Sequence, residues 1–252
     1  MSPSIVKTTI GHSFNELISV DSTNIYAMNQ LQANLAAHGA VYFAYEQTAG
    51  KGQRGREWKA QTGQNILLSA IIDASFLPIY QQFYLSAAIA VACYDFLQHY
   101  IPHELSIKWP NDIYWRDRKA GGILIENIIS GNNWKWSVVG IGLNINQTDF
   151  DDLNHKAVSL KQITGKDHNP VLLAKELCSF LTIRYNQLKE GNGSELLKIY
   201  QNLLFKKGEL VQLKRNNVIG SYTIQTVNSQ GELVVKSSME EAFTHGSIDW
   251  IL

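Results

Sequence analysis

The chain lacks the features of a secreted or membrane protein. Its 252 residues include only two cysteines, Cys93 and Cys178, and both lie in apolar stretches with helical spacing. We expect these thiols to be buried and unpaired, which excludes a disulfide framework and suits a reducing compartment. No apolar run is long enough to cross a bilayer, and residues 1–7 lack the apolar core of a secretion signal. The sequence therefore predicts a cytoplasmic protein.

Net charge is also absent. Lys and Arg together number 22, as do Asp and Glu, so the formal net charge is zero. A neutral molecule has no overall field that would attract nucleic acid or anionic lipid. About 20 residues precede Asp21, which is too few for a three-helix DNA-binding domain. We therefore expect no binding to DNA or membranes, and any electrostatic role must be local.

Hydrophobic spacing predicts helices and strands over most of the chain. Helices are predicted over 25–37, 80–100, 159–164, 170–188 and 195–205, and strands over 40–45, 65–72, 106–109, 113–115, 122–129 and 134–146. After Gly208 four short strands follow, over 210–213, 220–224, 231–236 and 248–252. That pattern is typical of a small SH3-like β-barrel. We therefore predict two domains, residues 1–205 and residues 206–252.

The predicted strand over 134–146 has two unlike faces. Because side chains alternate along a strand, one face carries Val139, Ile141, Leu143 and Ile145, and the other carries Gly140, Gly142, Asn144 and Asn146. A face of glycine and asparagine leaves room for a ligand and offers it amide groups. An edge strand with a solvated face is the alternative.

The segment from Gly50 to Arg56 has three glycines and three cations in seven residues, and no aliphatic residue. Such a segment cannot bury itself, but it can present N–H groups and positive charge to a phosphate chain. A solvated surface loop is the simpler interpretation. Earlier in the chain, Asp21–Asn24 precedes a predicted helix and can cap it. A helix N-terminus with hydroxyls and N–H groups can also hold a carbonyl group.

Five segments together resemble the biotin–protein ligases, also called biotin–[acetyl-CoA-carboxylase] ligases. They are Asp21–Asn24, Gln47–Trp58, Lys108–Asp112, Lys119–Glu126 and Gly140–Asn146. They occur in the order and spacing of that family and cover about residues 21–146. Any one of them would be a weak signal, whereas five in order are specific. The form resembled is the short one, without an N-terminal DNA-binding domain.

The resemblance implies an α+β fold of the class II synthetase type, with a mixed or antiparallel central sheet, flanking helices and the small β-barrel. It implies a ligase that first joins the biotin carboxylate to the α-phosphate of ATP, giving biotinyl-5′-AMP and pyrophosphate. A lysine of a biotin carboxyl carrier domain then attacks this acyl-adenylate, and AMP leaves. Mg²⁺ with ATP is the implied cofactor. The sequence leaves both a monomer and a homodimer open.

The resemblance also assigns site residues. For biotin they are Ser22, Thr23, Asn24, Gln47, Gly50, Lys51, Gly52, Gln53, Trp109, Lys119 and Gly122. For ATP and the adenylate they are Lys51, Arg54, Arg56, Trp58, Asn111, Asp112, Lys119 and Asn144. Catalysis is expected from Lys119, Arg56 and Lys51, because joining a carboxylate to a triphosphate brings like charges together. A floor for the apolar part of biotin is expected from Trp109, Ile123 and Ile125, and from the glycines of the 140–142 strand.

Asp112 has two interpretations, and Lys51 and Gln53 depart from the pattern of the family. Asp112 either holds Mg²⁺ or a cation, or simply caps a turn. Many family members have Gly-Arg-Gly-Arg where this chain has Gly50–Gln53. Lys51 keeps the positive charge of the first arginine but cannot make its paired hydrogen bonds, and Gln53 lacks the charge of the second. We expect the adenylate to be held less tightly, or Arg54 to substitute. The loop over residues 47–64 is expected to order over the ligands and exclude water.

Two other functions compete with this one. A lipoate–protein ligase would share the architecture and the adenylate chemistry, although the Lys108–Asp112 segment, the loop at Gly50–Arg56 and the β-barrel favour biotin. A binding module without catalysis would retain the pocket. The presence of Lys119, Arg56 and Asn144 argues against a site that has lost its catalytic residues. The sequence argues against a metal hydrolase, because the seven histidines are scattered and show no ligand spacing such as His-x-x-x-His.

Overall fold

A seven-stranded sheet forms the centre of the larger part of the chain. The computed structural model describes residues 9–131, 133–153 and 155–251, so the N-terminal segment considered above for secretion lies outside the described residues. The strands are β1 Ser13–Val20, β2 Ala40–Gln47, β3 Ile66–Asp73, β4 Leu105–Lys108, β5 Asp112–Trp115, β6 Arg118–Ser130 and β7 Asn133–Leu143. Their order is β1-β2-β3-β7-β6-β5-β4. β1 pairs with β2 in parallel and the other neighbours pair antiparallel, so the sheet is mixed, as predicted.

Helices cover both faces of this sheet. They are α1 Thr23–Gln32, α2 Gln82–Tyr100, α3 Leu160–Thr164, α4 Pro170–Lys189 and α5 Gly193–Asn202, with 3-10 turns at Gln53–Gly55, Ile79–Gln81 and Asp151–Leu153. α2, α4 and α5 pack together on one face, while α1 packs on β2, β3 and β7 on the other. None of the helices in the described residues is long and apolar enough to cross a membrane.

The two faces of β7 differ as the sequence predicted. Val139 and Ile141 are buried in the large apolar cluster that includes α2. Gly140 and Gly142 therefore face the opposite side, toward α1. On β3, Ser69 pairs with Gly140, which places Ser69 on that same side. The α1 face thus carries small and polar residues in the middle of the sheet, where a ligand could lie.

A second, smaller sheet follows. Its strands are β8 Leu210–Arg215, β9 Val218–Val227, β10 Leu233–Lys236, β11 Glu240–Phe243 and β12 Asp249–Ile251, in the antiparallel order β11-β10-β9-β8-β12. This confirms a small C-terminal β unit, with one strand, β11, that the sequence did not predict. Buried residues of this sheet belong to the same apolar cluster as α2. Because that cluster is continuous, the domain boundary at residue 206 stays a prediction.

Two elements near the N-terminus differ from their predictions. The helix predicted to reach residue 37 ends at Gln32, because Asn34 takes a left-handed backbone (φ 56°) and Leu35 is 73% exposed. β1 was not predicted at all. It is an edge strand, and its side chains alternate only weakly between half-buried and exposed positions.

Candidate functional site

A small cavity of about 50 Å³ lies on the α1 face of the large sheet, beneath the loop that follows β2. The sequence-predicted residues that line it are Ser22, Thr23, Asn24, Gln47, Lys51, Gly52, Gln53, Trp58, Asn111, Lys119 and Gly122. β3, β6 and β7 supply the floor through Leu67, Leu124, Gly140 and Gly142. Segments far apart in sequence therefore meet at one place.

The start of α1 forms one polar wall of the cavity. The backbone nitrogen and the hydroxyl of Thr23 both donate to Gln47 Oε1, at 2.8 and 3.0 Å. Because this oxygen is the acceptor, the Gln47 amide nitrogen is left to donate elsewhere. Ser22 occupies the N-cap position, is only 1% exposed and makes no capping hydrogen bond with the described residues. Its hydroxyl and the Gln47 amide are thus available to a polar ligand.

Asn24 extends this wall onto the sheet through two residues for which no role was predicted. Its Nδ2 donates to Glu126 Oε2 at 2.7 Å, and the Ser69 hydroxyl lies 2.5 Å from its Oδ1. Ser69 was detectable only as a polar residue in the middle of the apolar strand β3. Glu126 ends one of the family-like segments. Gly140 is required beneath Asn24, because a Cβ there would lie 2.3 Å from Asn24 Oδ1.

Two facing glycines support the ring of Trp58. Gly122 pairs with Gly142 across β6 and β7. A Cβ on Gly142 would lie 2.5 Å from Trp58 Cε2, and one on Gly122 would lie 3.1 Å from Cζ3 of the same ring. The indole nitrogen is buried without a hydrogen-bond partner among the described residues. The cavity of about 50 Å³ is smaller than ligand pockets of roughly 300–1,000 Å³, and the Trp58 ring occupies the space directly over the two glycines.

The glycine-rich loop is folded as a small hairpin. Lys51 bridges to Glu57, and the nitrogens of Gly52 and Trp58 donate to Arg56 O at 2.7 Å and Gly50 O at 2.8 Å. Gly50 is required here, because a Cβ would lie 2.4 Å from the carbonyl oxygen of Trp58. That the loop orders when ligands bind stays a prediction.

The cations of this loop point in different directions. Lys51 lines the cavity. Arg54 lies outside it, with a left-handed backbone (φ 58°) and a side chain that pairs with Asp249 of β12 at 3.4 Å. Arg56 is exposed, but its charge acts on the pKa of the nearby Lys108. The structure thus directs Arg54 toward the C-terminal sheet and leaves Arg56 beside the site.

Lys119 is the cation that the fold fixes most firmly in the cavity wall. Its Nζ lies 2.8 Å from Asp112 Oδ1 and 5.3 Å from the centre of the Trp58 ring. Its backbone nitrogen donates to Lys156 O at 2.7 Å, and its carbonyl accepts from the nitrogen of Val158 at 2.9 Å. The ammonium is therefore held next to the glycine floor with one carboxylate as partner.

Lys108 lies beside this pair and carries a perturbed charge. In the β4–β5 hairpin it is opposite Asp112, and its Nζ contacts the rings of Tyr114 and Trp250 at 4.6 and 5.3 Å. Burial lowers the pKa of Lys108 from its ordinary 10.5 to about 8, against the opposing effect of Asp112. The charges of Lys119 and Arg56 lower this pKa further. The site thus gathers more positive charge than Asp112 alone balances.

This lowered pKa predicts how Lys108 affects stability. Because the folded pKa lies below the unfolded one, the unfolded chain binds more protons between pH 8 and 10.5. The free energy of unfolding of the wild type, relative to Lys108→Met, should therefore rise by about 2–3 kcal/mol over that range. Denaturant unfolding of both proteins at several pH values measures the difference, and a constant difference would contradict the perturbed charge.

Trp109 and Asn144 are predicted site residues that, like Arg54, do not line the cavity. The Trp109 indole donates to Gly231 O at 2.9 Å, so it packs toward the C-terminal sheet instead of lining a biotin floor. The Asn144 side chain donates to the carbonyls of Lys119 and Val158, both at 3.2 Å. It therefore fastens the backbone of Lys119 to the following segment, and a contact of Asn144 with phosphate or ribose stays a prediction.

The cavity floor differs in part from the predicted one. Ile123 borders the cavity, but it pairs with Ile141 and packs in the cluster on the helical face, and Ile125 packs against that cluster as well. Because neighbouring side chains of a strand point to opposite faces, Leu124 occupies the cavity side. The floor is therefore Leu124 and Leu67, on either side of the β7 glycines.

One known protein family matches the part of the chain that forms this site. A profile described as the biotin/lipoate A/B protein ligase family matches residues 16–144. The chain belongs to this family. The match includes α1, the glycine-rich loop, the Lys119–Asp112 pair and the β7 glycines, and it confirms the resemblance seen in the sequence.

Curated relatives and solved structures agree with this family. The chain is 34% identical over 141 residues to the "Bifunctional ligase/repressor BirA" of Bacillus subtilis, covering 55% of this chain and 43% of that protein. It is 31% identical over 176 residues to the "Biotin--[acetyl-CoA-carboxylase] ligase" of Mycobacterium tuberculosis, covering 68% and 63%. The chain therefore spans less than two thirds of the length of these two relatives.

The fold is that of a solved member of the family. The "Biotin protein ligase from Aquifex aeolicus in complex with biotin and ATP" superimposes with a TM-score of 0.80 at 23% identity, covering 94% of this chain and 98% of that chain. This likeness confirms the α+β fold with its small C-terminal β unit.

Proposed function

We propose that this member of the family is an ATP-dependent biotin–protein ligase. The observation that carries the proposal is that one wall of the cavity is polar and uncharged while another is cationic. The α1 wall offers buried hydroxyl and amide groups, while Lys119 and its cationic neighbours form the wall next to Gly122. A ligand with a polar uncharged head and a carboxylate at the end of an apolar chain fits such a site, and biotin is a ligand of this kind.

The residues of the site suit the first step of the reaction. Ser22 and Gln47 would bind the ureido group of biotin, and Leu67 and Leu124 would cover its apolar ring and chain. Lys119 would lie between the carboxylate of biotin and the α-phosphate of ATP. Its positive charge would offset the repulsion between these anions and stabilise the charge that develops as the new acyl–phosphate bond forms and pyrophosphate leaves.

Lys51, Arg54, Arg56, Trp58, Asn111 and Asp112 remain candidates for ATP and adenylate contacts. Asp112 fits Mg²⁺ only as a single carboxylate, which is how this ion is commonly held when ATP phosphates supply its other ligands. The described residues contain no cluster of three metal-ligating side chains. The ion would supply charge neutralisation of the phosphates, and we keep Asp112 as its proposed holder with Lys119 as a competing partner.

In the second step the amine of an acceptor lysine would attack the acyl carbon, and AMP would leave. We propose a biotin carboxyl carrier domain as the source of this lysine. The expected absence of DNA and membrane binding, the cytoplasmic location and the choice between monomer and homodimer remain predictions.

Lipoate is the competing substrate, and the chemistry of the wall argues against it. The dithiolane ring of lipoate has no N–H or carbonyl group, so it would leave the buried Ser22 hydroxyl and the Gln47 amide without partners. Unpartnered buried polar groups strongly disfavour the ligand that causes them.

Incubating the protein with ATP, Mg²⁺ and either biotin or lipoate tests the proposal. We expect biotinyl-5′-AMP, detected by mass spectrometry, and at least ~100-fold less lipoyl-AMP at equal substrate concentration. Comparable amounts of both would favour a broader acyl-adenylate ligase. Binding of biotin without either adenylate would instead favour a binding module.

A further inference from the structure

The tip of the glycine-rich loop is tied to the C-terminal sheet by Arg54. The guanidinium Nη1 of Arg54 lies 3.4 Å from Oδ1 of Asp249 on β12. Its side chain also passes beside Gly246, where a Cβ would lie 3.5 Å from Arg54 Nε. Burial lowers the pKa of His245 and the charge of Arg54 lowers it further, so the guanidinium is close to that ring as well. Three residues near the C-terminus therefore lie close to this one side chain.

The backbone of Arg54 has a conformation that residues with a Cβ rarely adopt. Its φ is 58°, in the left-handed region, and it lies inside the 3-10 turn Gln53–Gly55. Such a conformation persists only where the surrounding structure holds it, and these conformations are concentrated at active sites and ligand clamps. The contact with Asp249 therefore fixes the direction of the side chain and supports the shape of the turn that carries it.

The loop residues around Arg54 line the ligand cavity. They are Lys51, Gly52, Gln53 and Trp58. A ligand in the cavity is therefore covered by a loop whose tip is fastened from outside. The fastening is an exposed ion pair, with 46% of the Arg54 side chain and 57% of the Asp249 side chain accessible, so it contributes little to the stability of the whole protein. Because loops open locally at a much lower free-energy cost than global unfolding, a weak contact can still change how often the loop opens.

We propose that Asp249 is a positioning residue for the glycine-rich loop, which it holds through Arg54 over the acyl-adenylate until the acceptor amine attacks. This inference rests on the proposed function. The acyl–phosphate bond of the intermediate is reactive toward water, so an intermediate that escapes early is lost. One alternative is that the ion pair only docks the C-terminal sheet against the loop. Another is that it withholds Arg54 from the phosphate of the adenylate.

The rate at which biotinyl-5′-AMP leaves the enzyme separates these roles. Asp249→Asn removes the charge and keeps the shape of the side chain, so we expect release to become about 2–5-fold faster, the range for one exposed ion pair. Asp249→Glu keeps the charge and should release the adenylate within about twofold of the wild-type rate. In 1 M KCl the Debye length falls to about 3 Å, so the wild type and Asp249→Asn should then release it at nearly equal rates.

Asp117→Asn is the matched control. Asp117 is also an exposed carboxylate, and its ion pair with Lys206, at 3.3 Å, joins the turn between β5 and β6 to the segment before β8 without involving the loop. Its replacement should leave the release rate unchanged. Release is measured by loading each enzyme with labelled biotinyl-5′-AMP and chasing with an excess of the unlabelled compound, and the melting temperature of each variant is measured in parallel.

The outcomes distinguish the three roles. Equal release from the wild type and Asp249→Asn, or equal acceleration by both asparagine variants, overturns the positioning role and leaves a docking contact. Slower release from Asp249→Asn also overturns it, because the freed Arg54 would then bind the adenylate. If the wild type forms no biotinyl-5′-AMP, the proposed function fails and the role of Asp249 fails with it.

Discussion

Replacing Lys119 with alanine is expected to slow acyl-adenylate formation by about 10²–10³-fold, the usual cost of removing one group that stabilises developing charge. The expectation rests on placement. The Lys119 ammonium lies 2.8 Å from Asp112 and beside the glycine floor, and its backbone is fastened on both sides by the segment around Lys156 and Val158. A side chain held in this way needs little reorganisation when charge develops on the phosphate.

The rate of acyl-adenylate formation in Lys119→Ala should fall further than the loss of one positive charge alone would explain. Without Lys119 the Asp112 carboxylate would lose its ion-pair partner, so the variant adds repulsion between this carboxylate and the triphosphate to the missing attraction. Arg118→Ala is the matched control. It removes the same charge from the preceding residue, whose guanidinium lies 5.5 Å from the centre of the Trp115 ring. We expect that control to retain activity within about threefold.

Single-turnover formation of biotinyl-5′-AMP, with pyrophosphate release followed in parallel, measures the effect. The biotin dissociation constant, measured without ATP, should change much less than the rate. A Lys119→Ala enzyme that forms the adenylate at more than a tenth of the wild-type rate would remove Lys119 from the centre of the mechanism.

The sequence predicted the helices and strands that carry a clear hydrophobic pattern of their own. α2 is apolar on most sides and is buried as expected, and β7 separates an apolar face from a glycine face. β1 could not be predicted, because an edge strand gains its order from pairing with β2 and needs no apolar pattern of its own. The end of α1 was missed for a related reason, since helical composition continues past Gln32 although residues 32–35 are exposed.

Motif-bearing residues of the site could be predicted, but their supporting contacts could not. Ser69 and Glu126 reach Asn24 only through the pairing register of β3, β7 and β6, which a single sequence does not specify. The same dependence explains why Leu124 was not expected in the floor. A one-residue error in the side-chain alternation exchanges Leu124 for Ile123 and moves the apolar surface to the other face of the sheet.

Filling the glycine floor should abolish ligand binding. A Cβ on Gly142 would lie 2.5 Å from Trp58, whose ring is rigid, so Gly142→Val must displace the ring and occupy the space beneath it. We expect biotin affinity to fall at least ~100-fold and the free energy of unfolding to fall by about 1–3 kcal/mol from overpacking. Calorimetry and denaturant unfolding measure the two effects. Lys135→Ala, at an exposed position of the same strand, should change neither.

The loss of biotin affinity and the loss of stability in Gly142→Val have different causes, and a second variant separates them. In Gly142→Val combined with Trp58→Ala the ring is gone, so most of the lost stability should return. Biotin affinity should stay low, because the valine side chain still occupies the floor on which the ligand would lie. Recovery of both stability and affinity would mean that Gly142 exists only to accommodate Trp58. Recovery of stability alone would show that the glycine floor forms part of the ligand site and that Trp58 covers it when the loop is closed.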